Sequence, residues 1–82
     1  MNSEQVPLLL REVVADVLEI SPEEVRPDLS SASVETWDSF RHLQLMLAIE
    51  SEFGVQFDPQ QIPDLTTVAR IEAVLEQKGV RV

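Results

Sequence analysis

Three observations predict an all-α fold. Apolar residues recur at steps of three and four in three separate stretches. Proline, glycine and capping residues punctuate the ends of those stretches. No segment alternates with the period of two that a half-buried strand requires, and there are no Asn-Gly turns and few aromatics. The implied architecture is a small antiparallel bundle of three long helices and one short helix, with a long loop between the first and second long helices. The 82 residues make one domain, 1–82. A chain of this size buries only roughly 60–65% of its unfolded surface, enough for one layer of packed helices and no deep catalytic cleft. The starting Met1 and the short C-terminal tail predict a free-standing domain.

The first stripe is Val6, Leu9, Leu10, Val13, Val14, Val17 and Leu18, with Arg11, Glu12, Asp16 and Glu19 on the other side. Proline is tolerated only in the first turn of a helix, so Pro7 puts the start between Ser3 and Val6 and the helix at about Gln5 to Leu18. Ser21-Pro22-Glu23-Glu24 reads as a cap, a proline at the first helical position and acids in the first turn. Pro27 limits that helix to about one turn. The serine-rich stretch Arg26 to Glu35 lacks periodicity and is a long loop, of the kind often tied to function, with Leu29 and Val34 pinning it to the core.

The second long helix runs from about Ser39 to Phe53. Leu43, Leu45, Met46, Leu47, Ala48, Ile49 and Phe53 make it apolar over much of its circumference, so a nearly central position is expected. Gly54 suits the left-handed position after its end, with Val55 folding back on Ile49. Asp58 and Pro59 start a short turn that Pro63 stops. The last helix runs from about Thr66 to Gln77, capped by Asp64 or Thr66. Its stripe is Val68, Ile71, Val74 and Leu75, Ala69 and Ala73 allow close approach, and Gly79 ends it.

The chain is organised around Trp37-Asp38-Ser39-Phe40. Asp38 is placed to accept a hydrogen bond from a first-turn amide, and Trp37 to fold over His42 and fix the angle at which the chain meets the helix. Ser39 then stands beside unpaired N–H donors at the positive end of the helix, a place that favours a phosphate. Asp-Ser before an apolar helix is also an ordinary helix start, and taken alone this stretch fits both.

Fifteen acids against six bases give a net charge of −9. Nucleic acid and anionic membrane surfaces are disfavoured as partners, and a protein with a basic patch is favoured. The chain has no cysteine, hence no disulfide, thiol nucleophile or thiolate metal site, and one histidine. No apolar run approaches the ~20 residues of a membrane span, and Met1 to Leu10 lacks a signal-peptide pattern. A cytoplasmic monomer is expected.

The chain resembles the acyl carrier protein family over almost its whole length. The resemblance is carried by Leu18-Glu19-Ile20-Ser21-Pro22-Glu23-Glu24-Val25, Asp38-Ser39-Phe40, Ile49-Glu50-Ser51-Glu52-Phe53-Gly54-Val55 and Asp64-Leu65-Thr66-Thr67-Val68. Asp-Ser alone is weak. Placed about fourteen residues before Glu-Phe-Gly and followed by these later helices, it is specific. The resemblance implies that Ser39 carries 4′-phosphopantetheine donated by coenzyme A, with Asp38 part of the motif that a phosphopantetheinyl transferase recognises. The arm's thiol would hold an acyl or aminoacyl group as a thioester, received from a loading enzyme and passed to a downstream transferase or synthase. Trp37, Phe40, Arg41, His42 and Gln44 are the implied partner contacts. Fatty-acid carriers resemble one another in having acids just after the serine; Arg41 and Gln44 stand there instead, and the Trp-Asp-Ser approach with His42 resembles carriers of specialised pathways. His42, three residues after Ser39, reads either as a partner contact or as a structural residue under Trp37. No nucleophile, base and orienting group come together in the sequence, so no catalytic residue is assigned. The rival reading is a small helical interaction module with Ser39 unmodified.

Overall fold

The computed structural model describes residues 6–80. Three α-helices, α1 (Leu8–Leu18), α2 (Ser39–Phe53) and α3 (Val68–Gln77), are joined by links that contain two single-turn 3₁₀ helices, Pro22–Glu24 and Ile62–Asp64. No strand occurs among the described residues; the nearest thing is an isolated antiparallel bridge between Ser30 and Thr67. The groove between α1 and α2 is lined at one end by Leu9, Glu12 and Glu52 and at the other by Val17, Phe40 and Arg41, so the two helices run antiparallel.

Each helix sends one stripe inward. Leu10, Val14 and Leu18 of α1, Leu45, Met46 and Ile49 of α2, and Val68, Ile71 and Leu75 of α3 are buried together. Val6, ahead of α1, and Val25, Trp37, Phe57 and Leu65 of the links join them, and no polar or charged residue among those described is buried. At about 1.5–3 kcal/mol per fully buried large apolar side chain, this stripe-on-stripe packing dominates folding.

Several boundaries differ from expectation for local reasons. α1 starts at Leu8, not near Gln5, which lies outside the described residues. Pro7 has ψ 147°, an extended value that precedes the helix, and its carbonyl accepts the Arg11 amide at 2.9 Å. α3 starts at Val68 because Thr67, rather than Asp64 or Thr66, caps it: its hydroxyl accepts from the Arg70 amide at 3.2 Å. Where the sequence predicts one short helix after Asp58 there is a turn, closed by Gln61 N–H donating to the Asp58 carbonyl. The 3₁₀ helix comes one step later, with Pro63 inside it.

Three faces also differ. Leu9, expected in the inward stripe of α1, is partly exposed. Ala69 and Ala73 face outward and permit no close approach between helices. Leu43 and Leu47 of α2 are 55% and 65% exposed, so that helix is not apolar-buried all round. Gly54 does end α2 in the left-handed conformation, with Val55 N–H returning to the Glu50 carbonyl.

The end of α1 is held from a distance. Glu19 takes the left-handed conformation there (φ 58°), which costs a non-glycine residue roughly 1–2 kcal/mol. The last carbonyls of the helix have no intrahelical donors. The Thr36 hydroxyl donates to Leu18 O at 2.7 Å, and the Arg41 guanidinium donates to Val17 O at 2.6 Å.

Burial, with the Glu76 carboxylate as the second cause, holds the Glu72 carboxyl above the ordinary carboxylate range. A carboxyl whose folded value is raised favours the unfolded state once ionised. Its cost is absent below the unfolded value and sets in as pH rises through the window between the unfolded and folded values. Glu72→Gln is therefore expected to raise the melting temperature at neutral pH and to leave it unchanged in acid. Equal shifts at both pH values would show that charge is not the cause.

Candidate functional site at the head of the second helix

The loop and the cap act together to present Ser39. Asp38 has extended backbone angles (φ −96°, ψ −173°), its Oδ1 accepts the Arg41 amide at 2.9 Å, and its carbonyl accepts the His42 amide at 2.8 Å. This satisfies the third and fourth amides of the helix. It leaves those of Ser39 and Phe40 without an acceptor among the described residues. Ser39 is the first helical residue and its side chain is exposed. A hydroxyl in the open, beside two unpaired amides at the positive end of a fifteen-residue helix, suits an attached phosphate.

Behind the serine lies a polar brace. Trp37 is 3% exposed, and its Nε1–H donates to His42 Nδ1 at 3.0 Å, with the two rings stacked at 6.1 Å and 27°. The indole can only donate, so Nδ1 is the acceptor and the imidazole proton sits on Nε2. Nε2–H then donates to the Ile62 carbonyl at 2.7 Å. One ring thus ties α2 to the loop before it and to the link before α3. Both of its nitrogens are engaged, so His42 has no free lone pair with which to act as a base toward Ser39. Beside this brace a cleft of about 290 Å³ is walled by Ser31, Trp37, Ser39, His42, Pro63 and Thr66.

The expected contact residues separate into two groups. Phe40 (67% exposed) and Gln44 stand out from the surface, and Leu43 and Leu47 continue their face. Trp37 does not belong with them, because it is part of the core. Arg41 is also drawn inward: besides its bond to Val17 O, its guanidinium lies 3.4 Å from the Glu19 carboxylate, with about a quarter of the side chain exposed. Sequence reading missed Glu19, Thr36 and the Ile62 carbonyl as supports of the site. Glutamate in a left-handed position and a lone threonine in a loop give no local signal of a distant partner.

Arg41→Ala is expected to cost about 1–2 kcal/mol, since the charge-assisted bond to an end-of-helix carbonyl is lost. That corresponds to a fall in melting temperature of about 5–10 °C. A change below about 0.5 kcal/mol in urea unfolding would return Arg41 to the solvated surface.

Residues 9–75 match the family described as phosphopantetheine attachment site. An acyl carrier protein of Thermosynechococcus vestitus is 32% identical over 78 residues, covering 95% of this chain and 96% of that protein. One from Petrotoga mobilis is 28% identical over 78 residues, 95% and 92% of the two chains. One from Bdellovibrio bacteriovorus is 26% identical over 70 residues, 85% and 90%.

Proposed function

Since the chain belongs to the phosphopantetheine attachment site family, and so is a carrier protein with a covalently bound 4′-phosphopantetheine and not an enzyme, we propose that Ser39 bears this group and that the chain presents a thioester-linked acyl or aminoacyl cargo to partner enzymes. The observation that carries the assignment is the exposed Ser39 hydroxyl at the first position of α2, beside unpaired amides and an open cleft. When bound, the group supplies the thiol that the cysteine-free chain lacks. Ser39 Oγ attacks the β-phosphate side of the coenzyme A pyrophosphate, loses its proton and becomes a phosphodiester oxygen, with adenosine 3′,5′-bisphosphate leaving; the transferase supplies the catalysis. The chain's own part is to hold the serine on a rigid, capped helix end and to favour the phosphate there electrostatically.

The partners in this reading are the transferase, a loading enzyme and a downstream transferase or synthase, all met in the cytoplasm. Phe40 and Gln44, with Leu43 and Leu47, form the face nearest the attachment point that such enzymes would touch. The test is intact mass after incubation with coenzyme A and a broad transferase. A gain of one phosphopantetheinyl group is expected, and an unchanged mass would favour the unmodified interaction module.

A small or polar cargo fits best. Trp37, His42 and Ile62 are tied together at the attachment end, and Ser31 and Thr66 are among the residues that line the neighbouring cleft. A long acyl chain entering beside Ser39 would meet that brace before the core. A sheltered chain stabilises the folded state by binding only to it. Acetyl, aminoacyl and long-chain forms of the holo protein should therefore melt within a degree or two of one another. A melting temperature that climbs with chain length would overturn the assignment of cargo.

A further inference from the structure

We propose that the groove between α1 and α2 is a docking surface for a basic amphipathic helix of a partner protein. Two clefts, of about 580 and 430 Å³, share Asp16, Val17 and Ala48 and so form one continuous groove along the antiparallel pair. Its floor is apolar and only half-buried, made by Val13, Val17 and Ala48. Its ends are marked by exposed apolar side chains, Leu9 at one and Phe40 and Leu47 at the other. A groove between two helices with apolar anchors spaced along it is the shape that receives a third helix.

The rim decides which helix. Glu12, Asp16 and Glu19 follow one another up the exposed side of α1, and Glu52 stands across from them on α2. Arg41 is the one base lining the two clefts, and its charge is already paired with Glu19 and its N–H groups with the end of α1. An apolar floor under an acidic rim complements a helix with an apolar stripe flanked by Lys and Arg. The surface begins next to Ser39 but needs no modification of it, so it can be tested on the unmodified chain.

The probes are a short amphipathic Leu/Lys helical peptide and its Leu/Glu counterpart, titrated into the full chain at low salt while backbone amide shifts are followed. The Leu/Lys peptide is expected to shift the amides around Val13, Val17 and Ala48, and the Leu/Glu peptide to leave them in place. Reversing two rim charges (Glu12→Lys with Asp16→Lys) should weaken binding about tenfold. Reversing two acids elsewhere (Glu23→Lys with Glu24→Lys) changes net charge equally and should weaken it less than about threefold. These positions are exposed, and thermal melts of both variants confirm folding. Equal weakening by the two pairs, shifts centred elsewhere, or no binding of the Leu/Lys peptide would each overturn the proposal.

Discussion

Ser39→Ala is expected to take up no phosphopantetheine under conditions that convert the wild type completely. Other exposed hydroxyls lie nearby in the chain, and their surroundings explain why none should substitute. Ser21 caps a single 3₁₀ turn and accepts from Glu23 N–H, and Ser33 is engaged with Ser30 in its own turn. Thr67 begins a helix but spends its hydroxyl as the cap. Ser51 is exposed but sits in the last turn of α2, at the end whose dipole repels a phosphate. Among the described residues, only Ser39 combines an unengaged hydroxyl with the positive end of a long helix. The substitution removes one oxygen from an exposed side chain, so the variant should melt within about 0.5 kcal/mol of the wild type, as surface changes usually do. Asp38→Ala gives the complementary result: the cap is lost at a cost of about 1 kcal/mol, and loading slows without being abolished. A mass gain that survives in Ser39→Ala would place the attachment elsewhere.

Among the polar groups of the site, the largest stability effect is expected at His42. His42→Ala leaves the Trp37 N–H buried without an acceptor and the Ile62 carbonyl without its donor. An unsatisfied buried polar group costs about 1–3 kcal/mol, so a total loss of about 2–3 kcal/mol is expected. For a domain of this size that lowers the melting temperature by about 10–20 °C. Trp37 is the one tryptophan, so its fluorescence reports the site directly, and its emission should move to longer wavelength as water reaches the ring. His42→Phe separates packing from bonding. It preserves an aromatic partner but neither hydrogen bond, and should recover only the stacking share, about 0.5–1.5 kcal/mol. A loss below about 0.5 kcal/mol for His42→Ala would mean that the brace contributes nothing and that the ring is free to serve a partner.

The three long helices, the head of α2 and the family are legible in the residues alone, although the starts of α1 and α3 are not. Those features rest on interactions within a few residues: Asp38 reaching the Arg41 amide, Gly54 permitting a left-handed turn, apolar residues recurring with the helical period. The family resemblance read from Asp38-Ser39 and the later helices agrees with the match over residues 9–75. The partners of polar groups and the choice of buried face depend instead on how the helices pack. The Thr36, His42 and Arg41 bonds join residues 18, 20 and 24 positions apart, across links with no periodicity to read. Leu43 and Leu47 look like core in a helix that is apolar almost all round, and only the placement of α1 and α3 turns them outward. Arg41, a long base beside the attachment point, reads as a surface contact, yet the structure turns it toward Val17 O and Glu19. A side chain this long is assigned by whichever unpaired acceptor lies within its reach, and the open carbonyl at the end of α1 comes within reach of Arg41 only once α1 and α2 have packed.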